Sequence, residues 1–253
     1  MQKSVVLIGV GEMGGVFARG LLKSGCAVFP ATRQTDLAQM QKSISDPQAV
    51  VVAVAEKDFN SCLQTIPKLW LDRLVLLQNE LIPQDWQRQH VSNPTVISVW
   101  FEKKYPQDYK VIIPSPVFGP KADIIATALK SLNIPTVILK SEEELLVELV
   151  VKNLYILTIN IAGLKVGGTV EELWKKHQAL AQEVANEVLD IQFSLIGKEL
   201  TRKTLIEKMV TAFAGDWQHK CMGRTARDRL TRALYQADEA GLAVPTLRQI
   251  SLL

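Results

Sequence analysis

A strand that runs directly into a glycine turn and then a helix constrains this chain more than any other feature. Val5-Val6-Leu7-Ile8-Gly9-Val10-Gly11-Glu12-Met13-Gly14 is an apolar run ending in GxGxxG, and Gly11–Lys23 follows with Val16, Phe17, Leu21 and Leu22 at helical spacing. Each glycine has a separate task. Gly9 permits the tight turn, Gly11 lets backbone come close to a pyrophosphate, and Gly14 lets the helix lie against the strand. The amides of Val10, Glu12 and Met13, with the helix dipole behind them, complete a cradle for phosphate. GxGxxG alone is a weak signal. Placed after a strand and inside a βαβ pattern, it is in the context that dinucleotide binding requires.

The end of the second strand selects the dinucleotide. An NAD site places Asp or Glu there, about 20 residues past the glycines, to hold the ribose hydroxyls. This chain has Thr32-Arg33-Gln34 instead. A guanidinium binds a 2′-phosphate through two hydrogen bonds, whereas a carboxylate would repel it. Arg33, with Thr32 beside it, therefore predicts NADP(H). The alternative is a solvated loop arginine, with Asp36 as the cap of the next helix.

Further strands are predicted at Cys26–Ala31, Ala49–Ala55, Arg73–Gln78, Thr95–Trp100, Lys110–Ile113 and Thr136–Leu139, with helices at Asp36–Ser43 and Ala122–Leu132. Ala49–Ala55, almost all Val and Ala, has the pattern of a strand covered on both faces. Strands alternating with helices at this spacing predict an α/β, Rossmann-type, doubly wound and mainly parallel sheet. The character changes after Lys140. Ser141 followed by Glu142, Glu143 and Glu144 starts a long, strongly apolar helix reaching Leu164. Amphipathic helices follow at Glu171–Leu189, Arg202–Ala212 and Thr225–Ala240. The expected organisation is a sheet domain over residues 1–140 and an all-helical domain over 141–253.

Composition removes several classes of function. The 29 basic and 26 acidic residues give a net charge of +3 with the signs mixed along the chain, so no basic stripe points to nucleic acid. Cys26, Cys62 and Cys221 are too scattered for a disulfide frame, and with His90, His177 and His219 they form no metal set at ligand spacing. A reducing, cytoplasmic setting with no metal is the simplest expectation. No uncharged run reaches the roughly 18 residues of a bilayer span, so no membrane partner is expected. Trp70, Trp86, Trp100, Trp174 and Trp217 read as packing residues, with an aromatic patch for a homodimer as the alternative.

Four segments, in order, resemble the ketopantoate reductases, a family of two-domain NADPH-dependent reductases. They are the N-terminal IGVGEMG with Arg33; Leu76-Leu77-Gln78-Asn79, similar to a Gln-Asn-Gly turn whose Asn meets cofactor and substrate; the long helix carrying Lys152 and Asn160; and Gly241-Leu242-Ala243-Val244-Pro245-Thr246, preceded by His219-Lys220-Cys221-Met222 in place of an HKSM motif. The resemblance implies hydride transfer to the ketone of a 2-oxo acid, with Lys152 giving the proton to the developing alkoxide. It implies substrate contacts from Asn79, Asn160 and Cys221. A lysine in so apolar a helix is in any case unusual unless it faces a cleft. The other reading is a lysine that reaches solvent along its stem. For Asn160 the alternative is a core hydrogen bond, for Asn79 a turn residue, and for Cys221 a buried thiol.

The chain also departs from that pattern. Ile156 stands where the family has another asparagine, Val170-Glu171-Glu172-Leu173 stands for an Asn-Gly-Glu-Leu turn, and Arg224-Thr225-Ala226-Arg227-Asp228 has no glutamate in register. An intact cofactor half with an eroded substrate half predicts poor turnover of ketopantoate. Two rivals accompany the 2-oxo acid reading. One is an imine or β-hydroxy acid reductase, disfavoured if Lys152 has no tyrosine or aspartate partner. The other is an NADP(H)-binding protein without catalysis.

Overall fold

The computed structural model describes residues 3–103 and 106–253. The N-terminal part is built from β1 (Lys3–Ile8), α1 (Glu12–Lys23), β2 (Cys26–Ala31), α2 (Leu37–Ser43), β3 (Ala49–Val52), α3 (Phe59–Thr65), β4 (Leu74–Leu76), α4 (Pro83–Gln87), β5 (Thr95–Ile97), β6 (Phe101–Glu102), β7 (Lys110–Val111), β8 (Ser115–Phe118), α5 (Ala122–Lys130) and β9 (Thr136–Ile138). Seven of these strands form one sheet in the order β2-β1-β3-β4-β5-β8-β9, parallel throughout except where β8 runs against β5. The chain leaves β1 for one neighbour and β3 lies on the other side. The strand order therefore reverses at the carboxyl end of β1, the position at which open α/β sheets bind ligands.

The sheet is covered on both faces, as its Val-rich strands require. Val5 and Leu7 of β1, Val51 of β3 and Ile97 of β5 share a core with Phe17 and Leu21 of α1 and Ile125 and Leu129 of α5. The alternate residues Val6, Val50, Val52, Leu74 and Leu76 are fully buried on the other face. Burying each such side chain contributes about 1.5–3 kcal/mol.

Two differences from the sequence expectation have local causes. The segment predicted as a sheet strand at Lys110–Ile113 instead pairs as β7 with β6 in a separate two-stranded antiparallel ribbon. The strand that does enter the sheet is β8, whose Pro116 argues against strand in a sequence reading. Pro116 has no N–H, yet its carbonyl still accepts from Ser98 N at 2.9 Å, and the neighbouring Ser115 N bonds Pro135 O at 3.0 Å. The strand thus loses a single donor and keeps the rest of its ladder.

The helical elements are α6 (Glu142–Val166), α7 (Val170–Lys176), α8 (Gln178–Ile196), α9 (Arg202–Gly215), α10 (Ala226–Glu239) and α11 (Pro245–Ser251). The compact units divide inside α6, into Met1–Glu148 and Leu149–Leu253. The predicted start of α6 is present as a reciprocal cap: Glu144 N donates to Ser141 Oγ at 3.2 Å and Lys140 N to the Glu144 carboxylate at 2.7 Å. By length and composition α6 could cross a bilayer, but 83% of its apolar window is buried within the chain, the setting of a core helix.

One predicted helix, Glu171–Leu189, is divided in two at His177, whose backbone leaves helical geometry at φ −131°. The start of α7 is tied to a distant part of the chain. Val170 N bonds His219 O at 2.9 Å, Glu171 N bonds Trp217 O at 3.0 Å, and Cys221 N bonds Gly168 O at 3.1 Å. These bonds aim α7 by its first amides, and a Thr169–Glu172 capping box completes its start.

The last helix is held from a distance. Glu187 of α8 accepts from Thr246 N at 2.8 Å and Leu247 N at 2.9 Å, satisfying two first-turn amides of α11, and Pro245 needs no partner there. Glu187→Ala is expected to lower stability by about 1–2 kcal/mol, read as a shifted denaturant midpoint. An unshifted midpoint would show the cap to be idle.

Candidate active site

The loops after β1, β2, β3 and β4 emerge at one edge of the sheet, and each carries a candidate residue. At the first, the three glycines are required for three different reasons. Gly9 has φ +95°, and a Cβ on it would stand 2.6 Å from Ala53 O. A Cβ on Gly14 would stand 2.0 Å from Gly9 O, so α1 can begin this close to β1 only without a side chain. A Cβ on Gly11 would meet nothing within 4 Å. Gly11 is the N-cap of α1 and provides no side-chain cap. First-turn amides of a helix that has no side-chain cap can be satisfied by an anionic group. Val10 is exposed, Met13 packs on the core, and the Glu12 carboxylate lies 3.9 Å from Lys103 Nζ. The turn therefore fits a dinucleotide pyrophosphate at Gly9, Val10, Gly11, Glu12, Met13 and Gly14.

After β2 the chain makes a tight turn in which Thr32 N donates to Thr35 Oγ1 at 2.9 Å and Gln34 N to Thr32 Oγ1 at 3.3 Å. Arg33 projects from it with 84% of its side chain exposed, and Nη2 lies 2.7 Å from Asp58 Oδ2. Asp36 caps α2, accepting from Ala38 N and Gln39 N. After β4, Gln78 donates to Val52 O at 2.7 Å and Val54 O at 3.2 Å, tying the ends of β3 and β4 together. This fixes Asn79, whose Nδ2 donates to Glu56 Oε1 at 3.0 Å. The next residue, Glu80, has φ +59°. That left-handed backbone is the conformation for which the glycine of a Gln-Asn-Gly turn is suited.

In the helical part, Lys152 is buried to 9% exposure on α6, and its Nζ lies 5.7 Å from the centre of the Tyr155 ring. The condition that would disfavour an imine or β-hydroxy acid reductase, a lysine with no tyrosine partner, is therefore not met: Tyr155, one turn on, offers its ring face to the ammonium. Tyr155 is 6.4 Å from the His219 ring, and His219 Nδ1 is 3.8 Å from Asp216 Oδ2. Asn160 Nδ2 donates to Ile156 O at 2.9 Å and its Oδ1 accepts from Gly223 N at 3.0 Å. Cys221 is fully buried, and burial with the nearby Glu172 charge pushes its thiol up to about 12. It is therefore a poor nucleophile. A Cβ on Gly163 of α6 would stand 2.9 Å from the Cys221 Cβ, so the 221 segment closes on a bare patch of helix.

The sequence reading missed several side chains. Asn153 is 1% exposed and donates to Gln192 Oε1 of α8 at 2.9 Å, a buried amide pair joining two helices. Asp58, Glu56, Tyr155 and Asp216 were likewise unassigned. The partners of Asp58 and Glu56, Arg33 and Asn79, lie in other elements, whereas Tyr155 meets Lys152 and Asp216 meets His219 at a spacing of three that the sequence does contain.

The fold and glycine turn define a Rossmann-type α/β protein with an all-helical second part. No protein-family model matches the chain, and no curated protein matches it in sequence. Solved structures do match its fold. A 2-dehydropantoate 2-reductase from Methylococcus capsulatus superposes with a TM-score of 0.69 at 12% identity, covering 98% of this chain and 94% of that one. D-mandelate dehydrogenase with NADH and anilino(oxo)acetate gives 0.69 at 15% identity, covering 98% and 96%. A dimeric ketopantoate reductase from Staphylococcus aureus gives 0.66 at 13% identity, with the same coverage of 98% and 96%. The chain thus shares the fold of these reductases over nearly its whole length, at low sequence identity.

Proposed function

We propose that the chain is an NADPH-dependent reductase of a small 2-oxo acid or related carbonyl compound. In this reading residues 1–140 are the NADP-binding part and 141–253 the helical substrate and catalytic part. The observation that carries the reading is the glycine turn: Gly9 and Gly14 are forced by backbone approach, whereas Gly11 is bare toward open space. Only an incoming group gives Gly11 a purpose.

Gly9, Val10, Gly11, Glu12, Met13 and Gly14 hold the pyrophosphate through backbone amides, Thr32 and Arg33 hold the 2′-phosphate, and Asn79 steadies the nicotinamide end. When bound, NADPH supplies a hydride to the carbonyl carbon. Lys152 neutralises the charge developing on the carbonyl oxygen and gives it a proton. Asn79 orients the substrate while Glu56 fixes its amide. Asn160 has an N–H and a lone pair beyond those used by Ile156 and Gly223, and these face the substrate. Cys221 contributes contact only. The dimeric state of the Staphylococcus aureus neighbour supports a homodimer.

Tyr155 beneath Lys152 favours a second reading, reduction of an imine or β-hydroxy acid, in which the phenol shares the proton transfer. Ile156, with the internal bonds of Asn160, favours a third, NADP(H) binding without turnover.

The test is a titration with NADPH and NADH, followed by NADPH oxidation against a panel of 2-oxo acids and imines. Arg33→Ala is expected to weaken NADPH binding by about 10–100-fold, the loss of a charge-assisted pair, while sparing NADH. Equal weakening of both dinucleotides would deny Arg33 the phosphate role. Tight NADPH binding with no turnover on the panel, unchanged by Lys152→Ala, would select the third reading.

A further inference from the structure

The guanidinium assigned to the 2′-phosphate already has a partner. Asp58 ends the short helical turn Glu56–Asp58 that follows β3, and its Oδ2 lies 2.7 Å from Arg33 Nη2. The carboxylate is one-third exposed and the arginine 84% exposed, so the pair stands at the surface beside the phosphate-reading turn. A pair this open contributes little to folding, between zero and about 1 kcal/mol. Asp58 is also the N-cap of α3, but its side chain makes no capping hydrogen bond there, so the carboxylate is turned to Arg33 rather than to the helix.

Its effect on a ligand is larger. A 2′-phosphate brings about two negative charges and seeks two parallel N–H donors from Arg33. Asp58 occupies one end of that fork, so a phosphate gains both donors only by displacing the carboxylate. A ribose hydroxyl in the same position carries no charge and does not need the guanidinium. Asp58 therefore penalises the phosphorylated dinucleotide and leaves the unphosphorylated one unaffected.

We propose that Asp58 is a cofactor-selectivity residue, which holds down the preference for NADPH over NADH by competing for the Arg33 guanidinium. This rests on the dinucleotide-reductase reading above. The opposite role, a buttress that aims Arg33 at the phosphate, predicts the opposite sign, so the two separate cleanly.

The experiment is a fluorescence titration of the full chain with NADPH and with NADH, for wild type, D58N, R33A and the R33A/D58N double variant. Thermal unfolding serves as the check that each is folded. D58N is expected to bind NADPH about tenfold more tightly, the scale of one charge-assisted hydrogen bond freed for the phosphate, with NADH changed by less than about twofold. In the R33A background the D58N gain should vanish, because there is no guanidinium left to release. NADPH affinity that is unchanged or weaker in D58N overturns the proposal and makes Asp58 a buttress. A gain that persists without Arg33 also overturns it, by reducing the effect to general charge. Wild-type protein that binds neither dinucleotide removes the cofactor reading itself, a result distinct from either of these.

Discussion

Lys152→Met is expected to lower turnover on whichever carbonyl substrate the chain reduces by about 10²–10⁴-fold, the usual worth of a positioned proton donor. Methionine keeps most of the stem that packs in α6 and removes only the ammonium. NADPH affinity should therefore stay within about twofold, and the loss should fall on kcat rather than on cofactor binding. Lys152→Arg retains the cation over the Tyr155 ring but holds its proton too tightly to give it up, so it should not restore the rate. Turnover within a few-fold of wild type in Lys152→Met would remove the residue from the chemistry.

The second large effect separates two glycines three positions apart. In Gly14→Ala the new methyl would stand 2.0 Å from Gly9 O, a contact that backbone must move to relieve. The expected result is a loss of about 2–4 kcal/mol in stability together with the loss of NADPH binding. In Gly11→Ala the methyl meets nothing within 4 Å. The unfolding midpoint should hold while dinucleotide affinity falls by about 100-fold or more, because the methyl occupies the space through which the pyrophosphate approaches. Paired calorimetry and titration read both. Full NADPH affinity in Gly11→Ala would mean that the pyrophosphate does not lie over this turn.

What the sequence made legible was local. The run Val5–Ile8, the glycines and the amphipathic helix after them each state their geometry within a few residues, so β1, α1 and β2 lie where spacing puts them, β2 at Cys26–Ala31. Ser141 with its three glutamates marked the start of α6 in the same way. What was not legible depended on partners far along the chain. Pro116 reads as a strand breaker until β5 and β9 are seen on either side of β8. The anchoring of the α7 start rests on carbonyls of Trp217 and His219, which no periodicity in Glu171–Leu189 contains. At the site the division is the same. Gly9, Gly11 and Gly14 follow from backbone sterics alone, whereas Asp58 beside Arg33, Gln192 beside Asn153 and His219 beside Tyr155 are side-chain meetings that only the folded chain creates.

The carboxylate clasp on α11 has a consequence for how the chain is made. Leu247 and Ile250 of that helix are fully buried, yet its opening amides find their acceptor in Glu187, almost sixty residues upstream. During synthesis α8 must wait, with that acid unengaged, until Thr246 and Leu247 leave the ribosome. A chain halted or clipped just after Gly241 would lack both the plug and the lock, and would emerge with the floor of its helical half open to water.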